Sequence, residues 1–245
     1  MAETARVLVL SGVDSSGGAG QAVDLSVLDI KGVPGVGVPT AQTLQSDQSV
    51  QEVVATDELE FRARIADVTA SGPITAIKIG LIPSVPILDA VAELLADLKG
   101  SPVVYDPVFR ASSGGMLMSS DSFDSLESRL SGLVTVLTPN SDEAELLSGQ
   151  AVNSLADSRK ICTLLAQRWQ SACVLKGGHW GDGDVVDVLC DGDIVEFSAN
   201  RLDVQRRGTG CRFASALAAE LACGASLSDG VLSARALVRE YLISG

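Results

Sequence analysis

The 245-residue chain is predicted to fold as an α/β protein, a doubly wound, mostly parallel sheet sandwiched by helices. Two observations lead there. Short apolar runs of strand character alternate with amphipathic stretches, an order that places helices on both faces of a parallel sheet. The strand runs are apolar throughout instead of alternating, as expected for strands buried on both faces.

Strands are expected at Arg6–Leu10, Ile77–Ile79, Val103–Tyr105, Val134–Leu137 and Cys173–Leu175, each closed by Gly, Asp, Pro or Lys. Helices are expected at Ala22–Ile30, Glu58–Val68, Val85–Leu98, Asp142–Leu147, Ser158–Trp169, Arg212–Ala222 and Ser228–Ile243, where apolar residues recur at helical spacing. Val36–Thr43 and Val185–Phe197 read as strand or hairpin, the second turning at Asp191-Gly192-Asp193. The Ser-rich stretch Ser112–Ser125 reads as a mobile loop. With no internal repeat and no linker rich in Pro, Gly or Ser, residues 1–245 are expected to form one domain.

Composition excludes several function classes. A formal net charge of -13 opposes binding to phosphate backbones or anionic lipid, so neither nucleic acid nor membrane is an expected partner. The five cysteines include no C-x-x-C pair and fit a reducing, cytoplasmic setting. The first apolar run is too short for a signal sequence and follows Glu3 instead of a basic region. A single histidine, His179, rules out a multi-histidine metal site.

Four polar or glycine-rich segments follow expected strands, where ligands of open α/β sheets bind. The most specific is Arg207-Gly208-Thr209-Gly210-Cys211. Its glycines let backbone N–H groups converge, and the helix that follows adds about half a positive charge, which is suited to a transferring phosphoryl group. The alternative is an ordinary capped turn. A thiol in that first helical turn is expected to have its pKa lowered from about 8.5, which makes Cys211 a candidate base. The segment Ser11–Gly20 has neither dinucleotide-loop nor P-loop spacing and points to a different ligand loop. In Thr138–Glu143, Asn140 and Glu143 have the spacing of a capping box, and their oxygens equally suit Mg²⁺ or its waters. Lys176-Gly177-Gly178-His179 is the fourth.

Taken together, Gly12–Gly20, Lys78–Gly80, Asp106–Val108, Thr138–Ala144, Lys176–His179 and Gly208–Cys211 resemble, in order, the motifs of the hydroxymethylpyrimidine and phosphomethylpyrimidine kinases of thiamine synthesis, a branch of the ribokinase superfamily. The resemblance implies a ribokinase-like fold, ATP and Mg²⁺ as cofactors, a small pyrimidine as substrate, and a homodimer. It implies that Asp24 binds the aminopyrimidine and Gln45 reads its edge, with Ala19, Gly20, Thr43, Leu81 and Val108 lining the pocket. By the same resemblance, Glu143 and Asp106 lie at the metal, while Asn140, Lys176, His179 and Thr209 attend the nucleotide. Gly208, Thr209 and Gly210 form the anion hole, and Cys211 is the general base. Ser15, Arg207 and Ser112 stand where relatives usually carry Pro, His and Lys. The implied activity is ATP-dependent phosphorylation of 4-amino-5-hydroxymethyl-2-methylpyrimidine, its monophosphate, or both. Two alternatives stay open, a pyridoxine or pyridoxal kinase and a non-catalytic pyrimidine- or nucleotide-binding protein.

Overall fold

The computed structural model describes residues 5–45, 50–110, 115–177 and 183–244. Strand β1 (Val7–Asp14) is followed by helix α1 (Gly20–Ile30), then β2 (Gly35–Gln45), β3 (Val50–Ala55), α2 (Glu58–Ala70), β4 (Ala76–Ile79) and α3 (Val85–Asp97). The chain continues with β5 (Val103–Tyr105), α4 (Ser120–Leu130), β6 (Val136–Leu137), α5 (Ser141–Ser148), α6 (Leu155–Trp169) and β7 (Ala172–Leu175). It closes with the hairpin β8 (Val185–Asp191) and β9 (Asp193–Ala199), then α7 (Thr209–Ala222) and α8 (Leu227–Ser244). These strands form one sheet in the order β3-β2-β1-β4-β5-β6-β7-β8-β9. From β2 to β7 all neighbours are parallel, whereas β3, β8 and β9 join by antiparallel pairing.

The expected strands supply the parallel centre of this sheet, and the expected α/β architecture is the one observed. The Asp191–Asp193 turn falls where its sequence placed it, with Gly192 at φ 78°. Two elements differ from expectation. Helix α4 takes in Ser120–Ser125 of the Ser112–Ser125 stretch read as a loop, of which 112–114 lie outside the described residues. Serine dilutes its apolar spacing, yet Ser119 Oγ accepts from Ser122 N, Leu126 and Leu130 are buried one turn apart, and Phe123 packs edge-on against Phe109. Strand β3 was also unexpected. It follows β2 directly and pairs with it antiparallel, and Val50, Val53 and Val54 repeat at a helical spacing that hides its strand character.

Strand periodicity divides the core in two. Leu8, Leu10, Ile77, Ile79, Val103 and Tyr105 face one layer, which includes α3 and α6. Val7, Val9, Ala76, Val104, Val136 and Val174 face the other, made by α1, α7 and α8. Continuing the same alternation to the strand ends puts Ser11, Lys78, Asp106, Thr138 and Lys176 on the α1 and α7 side. The end residues of five strands thus face two helices instead of the purely apolar layer.

One polar joint locks that arrangement. Asp24 on α1 is fully buried and accepts hydrogen bonds from Ser11 Oγ on β1 at 2.7 Å and Ser215 Oγ on α7 at 2.8 Å. Lys78 Nζ on β4 lies 2.9 Å from both of its carboxylate oxygens. Burial works against the Lys78 ammonium, but the Asp24 carboxylate outweighs it and raises its pKa. Removing one member of such a pair leaves a charge buried without its counterion. Lys78→Met is therefore expected to lose about 3–5 kcal/mol in urea unfolding. The Asp24→Asn, Lys78→Met double variant should lose less than the sum of the two singles. Additive losses would mean that the pair is not energetically coupled.

Candidate active site

Because β1, β4, β5, β6 and β7 run in one direction, the segments leaving their C-terminal ends gather along one edge of the sheet. The connection from β1 turns towards β2 while β4 lies on the other side, so a crevice opens between diverging loops. The start of α7 fills its floor. Gly208 is the N-cap residue at φ 76°, and a Cβ there would stand 2.5 Å from Gly18 O, so the turn admits only glycine against the Gly17–Gly20 loop. A Cβ on Gly210 would meet Lys176 Nζ at 3.1 Å and Asp106 Oδ2 at 3.7 Å. The first N–H groups of α7, left without helical partners, therefore open beside a lysine and a buried carboxylate.

Lys176 pairs with Asp106 at 2.8 Å and stands 3.9 Å from Glu143 Oε2, while Thr138 Oγ1 donates to Asp106 at 3.3 Å. Burial opposes the charge on Asp106, but Lys176 and then Lys78 outweigh it and hold its carboxyl below the usual range. Burial pushes Glu143 up to about 7 despite Lys176, with Asp106 adding repulsion. The capping box read from the sequence forms in full. Asn140 N donates to Glu143 Oε2 at 2.7 Å, and Glu143 N donates to Asn140 Oδ1 at 2.9 Å. No group of three His, Cys, Asp or Glu that could hold a metal occurs among the described residues. Two carboxylates close to a glycine-bounded helix start nevertheless fit Mg²⁺, which keeps waters and phosphate oxygens as most of its ligands. The burial-raised Glu143 carboxyl would gain from a cation there.

Beside this charged end lies an apolar one. Ala41, Leu81 and Leu117 form a small cluster with Val53 and Val108 against it. A Cβ on Gly12 would come within 3.0 Å of Leu81 Cδ2. Thr43 Oγ1 donates to Val13 O at 3.2 Å, and Thr40 Oγ1 to Leu81 O at 2.7 Å. Ala19 is the extended N-cap residue of α1, and Gly20 at φ 69° would place a Cβ 2.4 Å from Gly12 O. The Gly20 N–H favours the Cys211 thiolate, and the glycine loop lies against the start of α7, where a Cβ on Gly208 would meet Gly18 O.

The structure thus brings Gly208, Thr209, Gly210, Cys211, Lys176, Asp106, Asn140 and Glu143 to one crevice, with Ala19, Gly20, Thr43, Leu81 and Val108 on its apolar side. Gln45 ends β2 opposite Val50, and its side chain lies outside the described atoms. His179 and Ser112 also lie outside the described residues. Two expectations are corrected. Asp24 is enclosed by Ser11, Lys78 and Ser215 and does not face the crevice, because its oxygens already hold three donors. Cys211 is not a lowered thiol. Desolvation pushes it up to about 11, and Asp24 and Asp106 add to the rise, against stabilisation of the thiolate by Lys78 and the Gly20 N–H. Cys211 is half-buried, and desolvation of its sulfur by the surrounding protein outweighs the helix dipole that motivated the opposite expectation.

Arg207 lies along the glycine loop, donating to Ser16 Oγ at 3.1 Å and pairing with Asp14 at 3.4 Å. Tyr241 on α8 supports the same turn, its hydroxyl donating to Arg207 O at 3.2 Å and its ring lying 3.6 Å from the Arg212 guanidinium. Sequence reasoning missed Ser215 and Tyr241, and it met Ser11 and Lys78 only as members of motifs. Ser215 and Tyr241 act on the site through contacts with distant elements, which no local pattern announces.

A ribokinase-like α/β sheet with a glycine-bounded helix start facing buried lysine and carboxylate groups defines a small-molecule phosphotransferase. A family model described as phosphomethylpyrimidine kinase matches residues 14–245. The chain is 36% identical over 241 residues to the hydroxymethylpyrimidine/phosphomethylpyrimidine kinase of Streptomyces coelicolor, covering 98% of this chain and 89% of that one. Among solved structures, phosphomethylpyrimidine kinase from Clostridium difficile superposes with TM-score 0.83 at 29% identity, covering 96% and 98% of the two chains. An ADP complex of Bacillus subtilis pyridoxal kinase gives 0.87 at 29% identity, covering 95% and 90%. The chain belongs to the phosphomethylpyrimidine kinase family. No helix among the described residues is long and apolar enough to cross a membrane.

The thiol correction is testable by site-resolved alkylation with iodoacetamide. The rate at Cys211 should climb roughly tenfold per pH unit between pH 7 and 9 without levelling, because only the thiolate reacts. A plateau near pH 7 would restore the dipole-lowered thiol.

Proposed function

We propose that this chain transfers the γ-phosphoryl group of ATP to the hydroxymethyl oxygen of 4-amino-5-hydroxymethyl-2-methylpyrimidine, and to the phosphate of its monophosphate, in thiamine biosynthesis. The observation that carries this is the contact of the α7 start with Lys176 and Asp106 on one side and with the Gly18 carbonyl of the glycine loop on the other. Membership of the family supports the substrate class.

The ring packs against Leu81 and Val108, with Gln45 reading its edge and Thr43 at its rim. Its hydroxymethyl group then lies at the Cys211 sulfur, in line with phosphates seated on the N–H groups of Thr209, Gly210 and Cys211. The hydroxyl oxygen forms the new P–O bond as the bond to the ADP oxygen breaks. The hydroxyl proton passes to Cys211 in its thiolate form, the minor form of a thiol raised to about 11, and Lys78 and the Gly20 N–H stabilise that form. Charge on the phosphoryl oxygens is met by the α7 start and by Lys176, and such charge stabilisation with positioning supplies most of the acceleration in phosphoryl transfer. Glu143 and Asp106 would hold Mg²⁺ or its waters, with Asn140 and His179 at the nucleotide. Bound there, the ion neutralises phosphate charge. A reducing cytoplasm and a homodimer complete the proposal, the latter checked by sedimentation.

The deciding experiment is ADP release on addition of the hydroxymethylpyrimidine, run beside pyridoxal. Turnover on the pyrimidine is expected. Nucleotide binding without ADP release would favour a binding protein, and preference for pyridoxal would favour the other vitamin kinase.

Two variants probe the roles. Gln45→Met should weaken the aminopyrimidine more than pyridoxal, because a site built to hydrogen-bond a ring edge discriminates strongly against losing that bond. Equal losses would remove Gln45 from recognition. Cys211→Ala should lower kcat by about 10²–10⁴, the usual worth of a positioned base, while nucleotide affinity stays within a few-fold. Cys211→Asp should rescue part of that loss. A kcat for Cys211→Ala within a few-fold of wild type would assign the work to the backbone N–H groups alone.

A further inference from the structure

Lys176 is followed by a peptide that admits no side chain. A Cβ on Gly177 would sit 2.2 Å from Val186 O, because β8 runs antiparallel beside the end of β7 and closes on this peptide. Close approach limits where Gly177 can be but does not orient its N–H. A buried carboxylate does that. Asp187, on β8, accepts the Gly177 N–H at 2.6 Å through Oδ1. Its other oxygen is engaged by the Arg235 guanidinium, which comes from α8. A second Arg235 nitrogen donates to Val185 O at 3.5 Å, so the guanidinium is tied to β8 at two points. Asp187 is 7% exposed, and the Arg235 side chain is 14% exposed. A hydrogen bond from an amide to a carboxylate oxygen of this kind is stronger than a neutral one and is little screened by solvent.

This chain of contacts runs from α8 through Asp187 to the peptide next to Lys176. The Lys176 N–H is held as well, donating to Pro139 O at 2.8 Å. Both peptide nitrogens of the turn are therefore fixed, one by the segment that carries Asn140 and Glu143, the other by Asp187. Nothing in the proposed transfer uses Asp187 or Arg235, and neither lies at the crevice surface described above.

We propose that Asp187, oriented by Arg235, is a positioning residue for phosphoryl transfer: it fixes the Lys176–Gly177 turn so that the Lys176 ammonium stands over the start of α7. The inference rests on the kinase assignment for what Lys176 meets, namely nucleotide phosphates. The geometry of the turn itself does not depend on that assignment. Since a misplacement of about 1 Å far from the reacting atoms can cost on the order of 10²-fold, a residue of this kind registers in function before it registers in fold.

The test measures ATP affinity by calorimetry on the whole protein without pyrimidine, together with KM for each substrate, kcat and the melting temperature. Asp187→Leu removes the acceptor and should weaken ATP roughly 10–100-fold, the loss expected for a hydrogen bond to a charged group, with pyrimidine KM within two-fold. Asp187→Asn keeps an oxygen for the Gly177 N–H and should recover ATP affinity to within about three-fold of wild type even though its ion pair with Arg235 is lost. Arg235→Met, which leaves Asp187 in place but unoriented, should fall between the two. If Asp187→Leu is too unstable to purify, the order wild type, Asp187→Asn, Arg235→Met still decides. Melting temperatures that fall while ATP affinity stays at the wild-type value in all variants would overturn the inference, as would parallel losses for ATP and pyrimidine. Wild-type turnover on the pyrimidine tests the kinase assignment separately, since the ratio of variant to wild-type ATP affinity does not depend on the acceptor.

Discussion

The buried pair of Lys78 and Asp24 is the constraint on which the arrangement of the site depends. Four elements meet at the Asp24 carboxylate, and none of their other contacts fixes α7 in register with the sheet so narrowly. Ser215 lies one turn beyond Cys211 on α7, so a hydrogen bond from Ser215 to Asp24 sets the rotation of that helix and with it the direction of its first N–H groups. Hydrophobic packing of Phe213, Ala214 and Leu217 supplies cohesion but is tolerant of small slides. A charged pair without water is not tolerant, because any slide exposes an unpaired charge to an apolar surround. Whether the pair adds net stability matters less here than the uniqueness of the position it enforces.

The same pair influences the electrostatics of the crevice. A chain with net charge of -13 must gather positive potential locally if it is to hold phosphates. It does so with Lys78 and Lys176 set against Asp106, together with the helix start. The carboxylates are not passive in this. Asp106 stays ionised between two lysines, whereas Glu143, farther from Lys176, is pushed towards neutrality by burial. That contrast makes the Glu143 position the one where an added cation would be most welcome.

The entry to α7 is held by side chains from three other parts of the chain. Arg207 reaches back to Asp14 and Ser16 on the glycine loop, while Tyr241 on α8 takes the Arg207 carbonyl and stacks on Arg212. The Arg207 guanidinium thereby ties the start of α7 to the glycine loop. Helix α8 supports both the entry to α7, through Tyr241, and the peptide after Lys176, through Arg235 and Asp187.

Much of this protein was legible in its sequence because much of it is local. Apolar runs buried on both faces, helical spacing, the Asn140–Glu143 capping box and the Asp191–Asp193 turn are each specified within a few residues, and each forms as read. So are the glycines at 208 and 210, whose need for bare backbone can be inferred from a turn running into a helix. Helix α4 escaped because serine masks its few apolar contacts, and β3 because Val50, Val53 and Val54 repeat at helical and not at strand spacing. What only tertiary structure decided is the state of each side chain. Asp24 appears in the sequence as one more polar residue at the site, yet packing encloses it with three donors. Cys211 appears as a thiol at a helix start, yet removal from water outweighs the dipole. Asp187 and Arg235 lie 48 residues apart and carry no motif. Local sequence sets backbone preference through short-range sterics and hydrogen bonds, whereas burial and charge pairing depend on which distant elements close over a group, and that is fixed only once the sheet and both helical layers have packed.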